Sequence, residues 1–236
     1  MLLILTACGD LTLDTARDDT DTAVGAARCA TGEARSDATV TLFGFVYEVG
    51  LDVTPLAGVA ATPCGADTPV GTSDSEGTWQ LELPDDTWTM VELSSRDLLP
   101  VRGVLDARHE GSSGHPYRTG LAGPEAIDEL LATLGVSLDP ELAIVDVCIS
   151  DDVDSYDLAD ATVDLDTPYE LAFVRDEDGT FVEGRTTNGL YDVVFVNVQP
   201  GPVTLTVDHP TRGTCRVPPP LLAEASEVLN LNGYCQ

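Results

Sequence analysis

Apolar and polar positions alternate with a period of two along several short stretches. In "TWQLELP" (78–84), Trp79, Leu81 and Leu83 alternate with Thr78, Gln80 and Glu82, so a strand here sets the apolar trio on one face. Val203, Leu205 and Val207 alternate with Thr204 and Thr206 in the same way, and Tyr169, Leu171 and Phe173 form a further one-faced set. Turn residues punctuate these runs: Ser75-Glu76-Gly77, Pro84-Asp85-Asp86, Asp178-Gly179, Asn188-Gly189 and Pro200-Gly201-Pro202. Short strands separated by regular turns predict a mainly β chain built as antiparallel sandwiches. One stretch keeps a different period. In "GPEAIDELLATLG" (123–135), Ile127, Leu130, Leu131 and Leu134 fall at i, i+3, i+4 and i+7, with Pro124 suited to a helix start and Gly135 to its stop. Glu125, Asp128 and Glu129 favour the first turn electrostatically, so one amphipathic helix is predicted here.

The strand signals occur twice. Phe43–Tyr47 stands over Val145–Ile149 and Pro55–Val59 over Asp157–Ala161, at one common offset. Gly77 then matches Gly189, and Pro84 matches Pro200, at successively larger offsets, so the second copy holds extra residues between strand signals, where loops tolerate them. Two copies are too few for a solenoid and enough for tandem domains. The expected division is a first sandwich over 29–118, a helix-bearing linker over 119–140 and a second sandwich over 141–236.

Of 236 residues, 41 are acidic and 11 basic, a formal net charge of −30; every basic residue is an arginine. Such a surface repels phosphate backbones and anionic lipid, which excludes nucleic acid as a partner and leaves cations, neutral glycans or basic proteins. The plainer reading of the charge is solubility. A hydrophobic share of 43% excludes wholesale disorder. No apolar run approaches the roughly 18 residues that a membrane span needs.

The N-terminal "MLLILTACGD" sets large apolar residues before Thr6-Ala7-Cys8-Gly9, and Leu5-Thr6-Ala7-Cys8 resembles a bacterial lipobox. That resemblance implies that residues 1–8 are a lipoprotein signal, that Cys8 is acylated, and that the protein is exported and held at an envelope membrane. The segment lacks a positive n-region and has a short apolar run, as a start site placed too far downstream would leave it; the alternative is a buried N-terminal strand. Residues 9–28, rich in Asp, Thr and Ala without apolar periodicity, read as an extended, self-repelling tether.

"PLAGVAAT", "DSEGTWQLELP" and "DDTWTM" together resemble the carboxypeptidase regulatory-like domain, a prealbumin-like sandwich. The first copy matches its pattern at Gly44, Val46, Pro55, Gly58, Val59, Gly77, Trp79, Leu81 and Pro84, with Asp86 where glycine is common. The second matches at Ala161, Gly189, Phe195, Pro200, Gly201, Leu205 and Val207, and carries Asp157 and Asp160 where proline and glycine are usual. The resemblance covers roughly 40–94 and 142–208. It implies two prealbumin-like sandwiches and is silent on activity.

Beyond Cys8 stand Cys29, Cys64, Cys148, Cys215 and Cys235, with no C-x-x-C and no Cys/His metal spacing. In an exported protein disulfides are expected. Cys148 stands over Val46 and reads as a small buried hydrophobe, which leaves Cys29 with Cys64 and Cys215 with Cys235; Cys148 with Cys235 is the rival pairing.

Nucleophilic chemistry finds little footing. His109, His115 and His209 are the histidines; no G-x-S-x-G elbow exists, and His109 and His115 are spaced wrongly for zinc on one helical face. "HEGSSGHP" (109–116) reads as an exposed loop. Asp151, Asp152, Asp154 and Asp157, with Asp160, Asp176 and Asp178 beyond, supply hard oxygens suited to calcium; the plainer reading is a solvated acidic loop, and no other cofactor is expected. Trp79 and Trp88 read as core and not as a glycan platform. The expectation is a non-enzymatic, envelope-anchored protein whose modules bind an unidentified protein or glycan. The alternative is a calcium- or carbohydrate-binding module, and a hydrolase is the reading that the sequence opposes most.

Overall fold

Period-two segments become strands where their apolar alternates find a facing layer. The computed structural model describes residues 39–48, 54–84, 88–106, 117–151, 158–176, 178, 180–189, 192–213 and 215–235. The first copy contains β1 (Thr39–Glu48), β2 (Thr54–Pro55), β3 (Ala60–Pro63), β4 (Gly71–Thr72), β5 (Thr78–Pro84), β6 (Trp88–Ser94), β7 (Val101–Asp106) and β8 (Tyr117–Leu121). Helix α1 (Pro124–Thr133) follows. The second copy contains β9 (Ala143–Asp151), β10 (Ala159–Leu165), β11 (Leu171–Arg175), β12 (Phe181–Glu183), β13 (Thr186–Asn188), β14 (Val193–Val198), β15 (Gly201–Val203), β16 (Leu205–Asp208), β17 (Cys215–Arg216), β18 (Leu221–Ala223) and β19 (Val228–Cys235).

Pairing repeats with the sequence. β1 pairs antiparallel with β5 and parallel with β8; β9 pairs antiparallel with β14 and parallel with β19. β3 pairs antiparallel with β4 and β6; β10 pairs antiparallel with β13 and β16. Each copy therefore lays a sheet holding its first and last strands over a second sheet. In the first copy Leu42, Val46, Trp79, Leu81 and Leu83 meet Val59, Ala61, Val91, Leu93 and Val101. In the second, Val145, Val147, Val193, Phe195, Leu229 and Leu231 meet Ala161, Val163, Leu165, Val203, Leu205 and Leu221. Extra residues of the second copy build the β11–β12 hairpin, which lengthens the sheet beyond β14.

A single sheet runs through both copies. β19 lies between β9 and β7, parallel to each, and the path β12-β11-β14-β9-β19-β7-β6-β3-β4 forms most of a ten-stranded sheet. Side-chain period sets which face a strand buries, and it says nothing about which neighbour takes its second hydrogen-bonding edge. Segment 119–140 holds the end of β8 and all of α1.

Helix α1 turns Ile127, Leu130 and Leu131 onto the face of this sheet opposite the second core. There they meet Tyr47, Leu99 and Ala122 from the first copy and Ile144, Leu171, Phe173, Val194 and Val196 from the second. β9, β11 and β14 are thus covered on both faces, which is why "AIV", "LAFVR" and "VVFVNV" are nearly continuous apolar runs. This corrects the set Tyr169, Leu171 and Phe173. Tyr169 precedes the strand and packs edge-on against Phe195 in the second core, with ring centroids 4.8 Å apart, while Leu171 and Phe173 face the helix.

Cys148 is fully buried but not a lone hydrophobe; it is disulfide-bonded, as is Cys64. Cys215 is joined to Cys235, tying β17 to β19 and excluding the Cys148–Cys235 pairing. Cys8 and Cys29 lie outside the described residues.

Candidate functional site

Three kinds of buried polar feature organise the molecule, and each begins with a local backbone demand. The first is a hydroxyl staple present in both copies. Ser73 Oγ accepts from the Val59 N–H (2.9 Å) and donates to the Leu56 carbonyl (2.6 Å). Thr187 Oγ1 accepts from the Ala161 N–H (3.0 Å) and donates to the Leu158 carbonyl. Leu56 and Val59 are the residues that Leu158 and Ala161 stand over, so each staple ties the same two backbone groups. Between them, Gly58 takes φ +78° and its counterpart Asp160 takes φ +65°. Asp is among the few side chains that enter the left-handed region, so Asp160 keeps the backbone that Gly58 has in the first copy. Gly77 and Gly189 both sit at φ +75°. A Cβ on Gly77 would stand 2.3 Å from the Val46 carbonyl oxygen, so that turn admits nothing larger.

The second feature is the seam between copies. Arg102 of β7 is fully buried, and its guanidinium contacts the Glu227 carboxylate at 2.5 Å just before β19 begins. It also donates to the Leu222 carbonyl, while Glu227 Oε1 accepts from the Glu224 N–H (2.8 Å). Burial pushes the Glu227 carboxyl above its ordinary value, against the attraction of Arg102. Nearby, Asn230 and Asn232 of β19 and Asp146 of β9 are all buried, with Asn230 donating to Asp146 at 3.3 Å and Asn232 to Asn230 at 3.4 Å.

The third is Asn197, which sits in β14 at φ +54° where the β14–β9 register shifts. Its amide donates to Ser137 (2.8 Å) and Glu170 (2.6 Å) and accepts from the Asp139 N–H (2.9 Å), fastening the segment after α1.

The residues singled out by sequence fall as follows. Asp151 ends β9, while Asp152, Asp154 and Asp157 lie outside the described residues. Asp176 closes the β11–β12 turn by accepting from the Thr180 N–H at 2.7 Å. Among the described residues no three His, Cys, Asp or Glu side chains are grouped to hold a metal ion. His109 and His115 lie outside the described residues. His209 Nδ1 accepts from the Thr211 N–H (3.1 Å) and the Arg212 N–H (3.0 Å), so Nε2 carries the proton and donates to the Ala159 carbonyl (2.9 Å). Its imidazole clamps a turn. Trp79 is buried in the first core. On the outer face of β1, Phe43 and Phe45 stay exposed at 41% and 37%.

At the surface of the second copy, Arg185 contacts Asp164 at 2.6 Å. Burial works against the Asp164 carboxylate, but the hydrogen bond and charge of Arg185 outweigh it and hold the group below its ordinary value. Both partners are about half exposed, so the pair contributes little to stability. Asp166 is likewise held low: burial opposes ionisation, and the Thr204 N–H at 2.7 Å prevails.

The staples were missed by sequence reasoning. Their signal was present, since both hydroxyls precede an Asx residue and then a turn glycine: Ser73-Asp74 before Gly77, and Thr187-Asn188 before Gly189. No helix among the described residues is long and apolar enough to cross a membrane.

No family model matches the chain, and no curated protein sequence matches it. Among solved structures it is similar to shaft pilin SpaA from Lactobacillus rhamnosus GG, at 11% identity over 84% of this chain and 98% of that one, with a TM-score of 0.28. It is similar to GBS52, the minor pilin of Streptococcus agalactiae, at 10% identity over 83% and 94% of the two chains, with a TM-score of 0.23. The Bacillus anthracis TIE protein is similar at 13% identity and a TM-score of 0.26 over 84% of this chain, which spans only 34% of that protein. Overlaps this low carry no statement about activity.

Proposed function

We propose that the chain is a non-enzymatic, exported lipoprotein that presents two carboxypeptidase regulatory-like sandwiches at a cell-envelope surface for protein or glycan contact. The observation that supports the address best is the cysteine chemistry. Cys64, Cys148, Cys215 and Cys235 are all disulfide-bonded, a state that persists in oxidising compartments. Cys8 then carries the acyl anchor, and the Asp/Thr-rich stretch after it provides reach.

The non-enzymatic reading is supported by what the buried polar groups do. Buried Ser73, Thr187 and Asn197, and half-buried His209, hold backbone groups in turns and loops. Phe43 and Phe45, two exposed rings on one strand face, suit contact with an apolar protein surface or a sugar ring. Metabolic labelling with palmitate tests the anchor: wild type takes up label and Cys8→Ser does not, and equal labelling would refute it. Binding to envelope extracts is expected to fall in Phe43→Ser/Phe45→Ser while the fold is kept; unchanged binding would remove this face from the proposal.

A further inference from the structure

We propose that the molecule carries tension, with load between its two ends borne in shear by the parallel pairing of first and last strands in each copy. In the first copy β1 and β8 run parallel, from Gly44 beside Tyr117 to Glu48 beside Leu121. In the second, β9 and β19 run parallel from Ile144 beside Val228 to Asp151 beside Cys235, eight residue pairs in register.

Direction decides how such a ladder fails. A chain entering at the start of β9 and leaving at the end of β19 is loaded at opposite ends of the ladder. Tension then runs along the strands, and all the ladder's hydrogen bonds share it and must fail together. Had first and last strands been antiparallel, the two loaded ends would lie side by side and the bonds would open one after another. Forced unfolding follows the unfolding rate, so a geometry that loads many bonds at once resists longer.

Two further features extend this arrangement. β19 is also laddered to β7 through Val101, Arg102 and Gly103, so load on Cys235 passes directly into the first copy as well as the second. The buried Arg102–Glu227 pair stands beside this junction. The Cys215–Cys235 bond ties the exit strand back to β17, so the residues it encloses cannot lengthen the chain under load. The anchored-module reading enters only as the source of the load. Loss of the anchor in the palmitate experiment would leave the mechanics standing.

Single-molecule force spectroscopy on the full chain tests the inference in two geometries. Handles at the two termini load the parallel ladders in shear. Handles at the C-terminus and in segment 152–157 pull on adjacent ends of β9 and β19 and peel them. A several-fold higher rupture force is expected for the terminal geometry at one loading rate; equal forces would overturn the proposal. In Cys215→Ser/Cys235→Ser, end-to-end unfolding should gain length, because a separation of 20 residues at ~3.5 Å each hides about 70 Å. An unchanged length would remove the disulfide from the load path. The two-geometry comparison uses the unaltered chain and stands even where the double variant does not fold.

Discussion

Replacing Arg102 by Met tests the seam by removing one half of a buried ion pair while keeping an unbranched, apolar stem. Arg102 is 0% exposed and Glu227 is 5% exposed, so the variant strands a carboxylate away from water. Breaking a buried pair from one side costs about 3–5 kcal/mol. Glu227 keeps its bond from the Glu224 N–H, which places the loss toward the lower end of that range. Chemical denaturation of the full chain, comparing midpoints at constant slope, reads the difference. The sharper signature is a reversal of sign. In wild type, Glu227→Gln removes the counter-charge of a buried guanidinium and destabilises. In the Arg102→Met background the same change relieves a stranded charge and should restore about 1–3 kcal/mol. Titration gives a second handle. The folded Glu227 carboxyl binds its proton more tightly than the unfolded one, so its contribution to stability is full below the ordinary carboxyl range and is lost as pH rises through the folded value. Removing Arg102 raises that folded value further, so the gap between wild type and Arg102→Met should be smallest in acid and widen toward neutrality. Equal effects of Glu227→Gln in both backgrounds would refute the reasoning.

Other perturbations separate the two copies. Gly77→Ala combines a left-handed φ with a 2.3 Å clash and should cost more than Gly58→Ala, where φ is +78° but the added methyl meets open space and only the strain of about 1–2 kcal/mol remains; melting of the two variants ranks them. Asp160→Val should destabilise and Asp160→Gly should not, since the position needs a residue tolerant of φ +65°. Ser73→Ala and Thr187→Val each leave a buried N–H and a carbonyl without the bridging hydroxyl, and each should lower the denaturation free energy by about 1–3 kcal/mol. Asn197→Ala forfeits three hydrogen bonds of about 1 kcal/mol each, and amide exchange should quicken at Asp139 before it does in β9.

Much of the fold was legible because burial on one face leaves a period in sequence. Trp79, Leu81 and Leu83 declared β5 in this way, and Ile127, Leu130 and Leu131 declared α1. Where both faces are buried the period vanishes, and the faces of β11 were misread through Tyr169. The duplication was visible in its glycines, yet Asp160 looked like a departure until its φ placed it beside Gly58. Pairing across the seam left no trace, because the edge of β19 that meets β7 is backbone, and backbone is the same in every sequence. No pattern in the sequence marks Arg102, and only its burial singles it out. The Cys148 bond was hidden by alignment with Val46, since an apolar site and a half-cystine site are equally buried.

The central claim is that two copies of one sandwich share a continuous sheet through β19. Cross-strand nuclear Overhauser contacts from residues 228–230 test it most directly. Contacts to both 101–103 and 144–146 are expected, on opposite edges of the same strand. Contacts to 144–146 alone would mean that the copies are separate bodies, and would contradict the shared sheet.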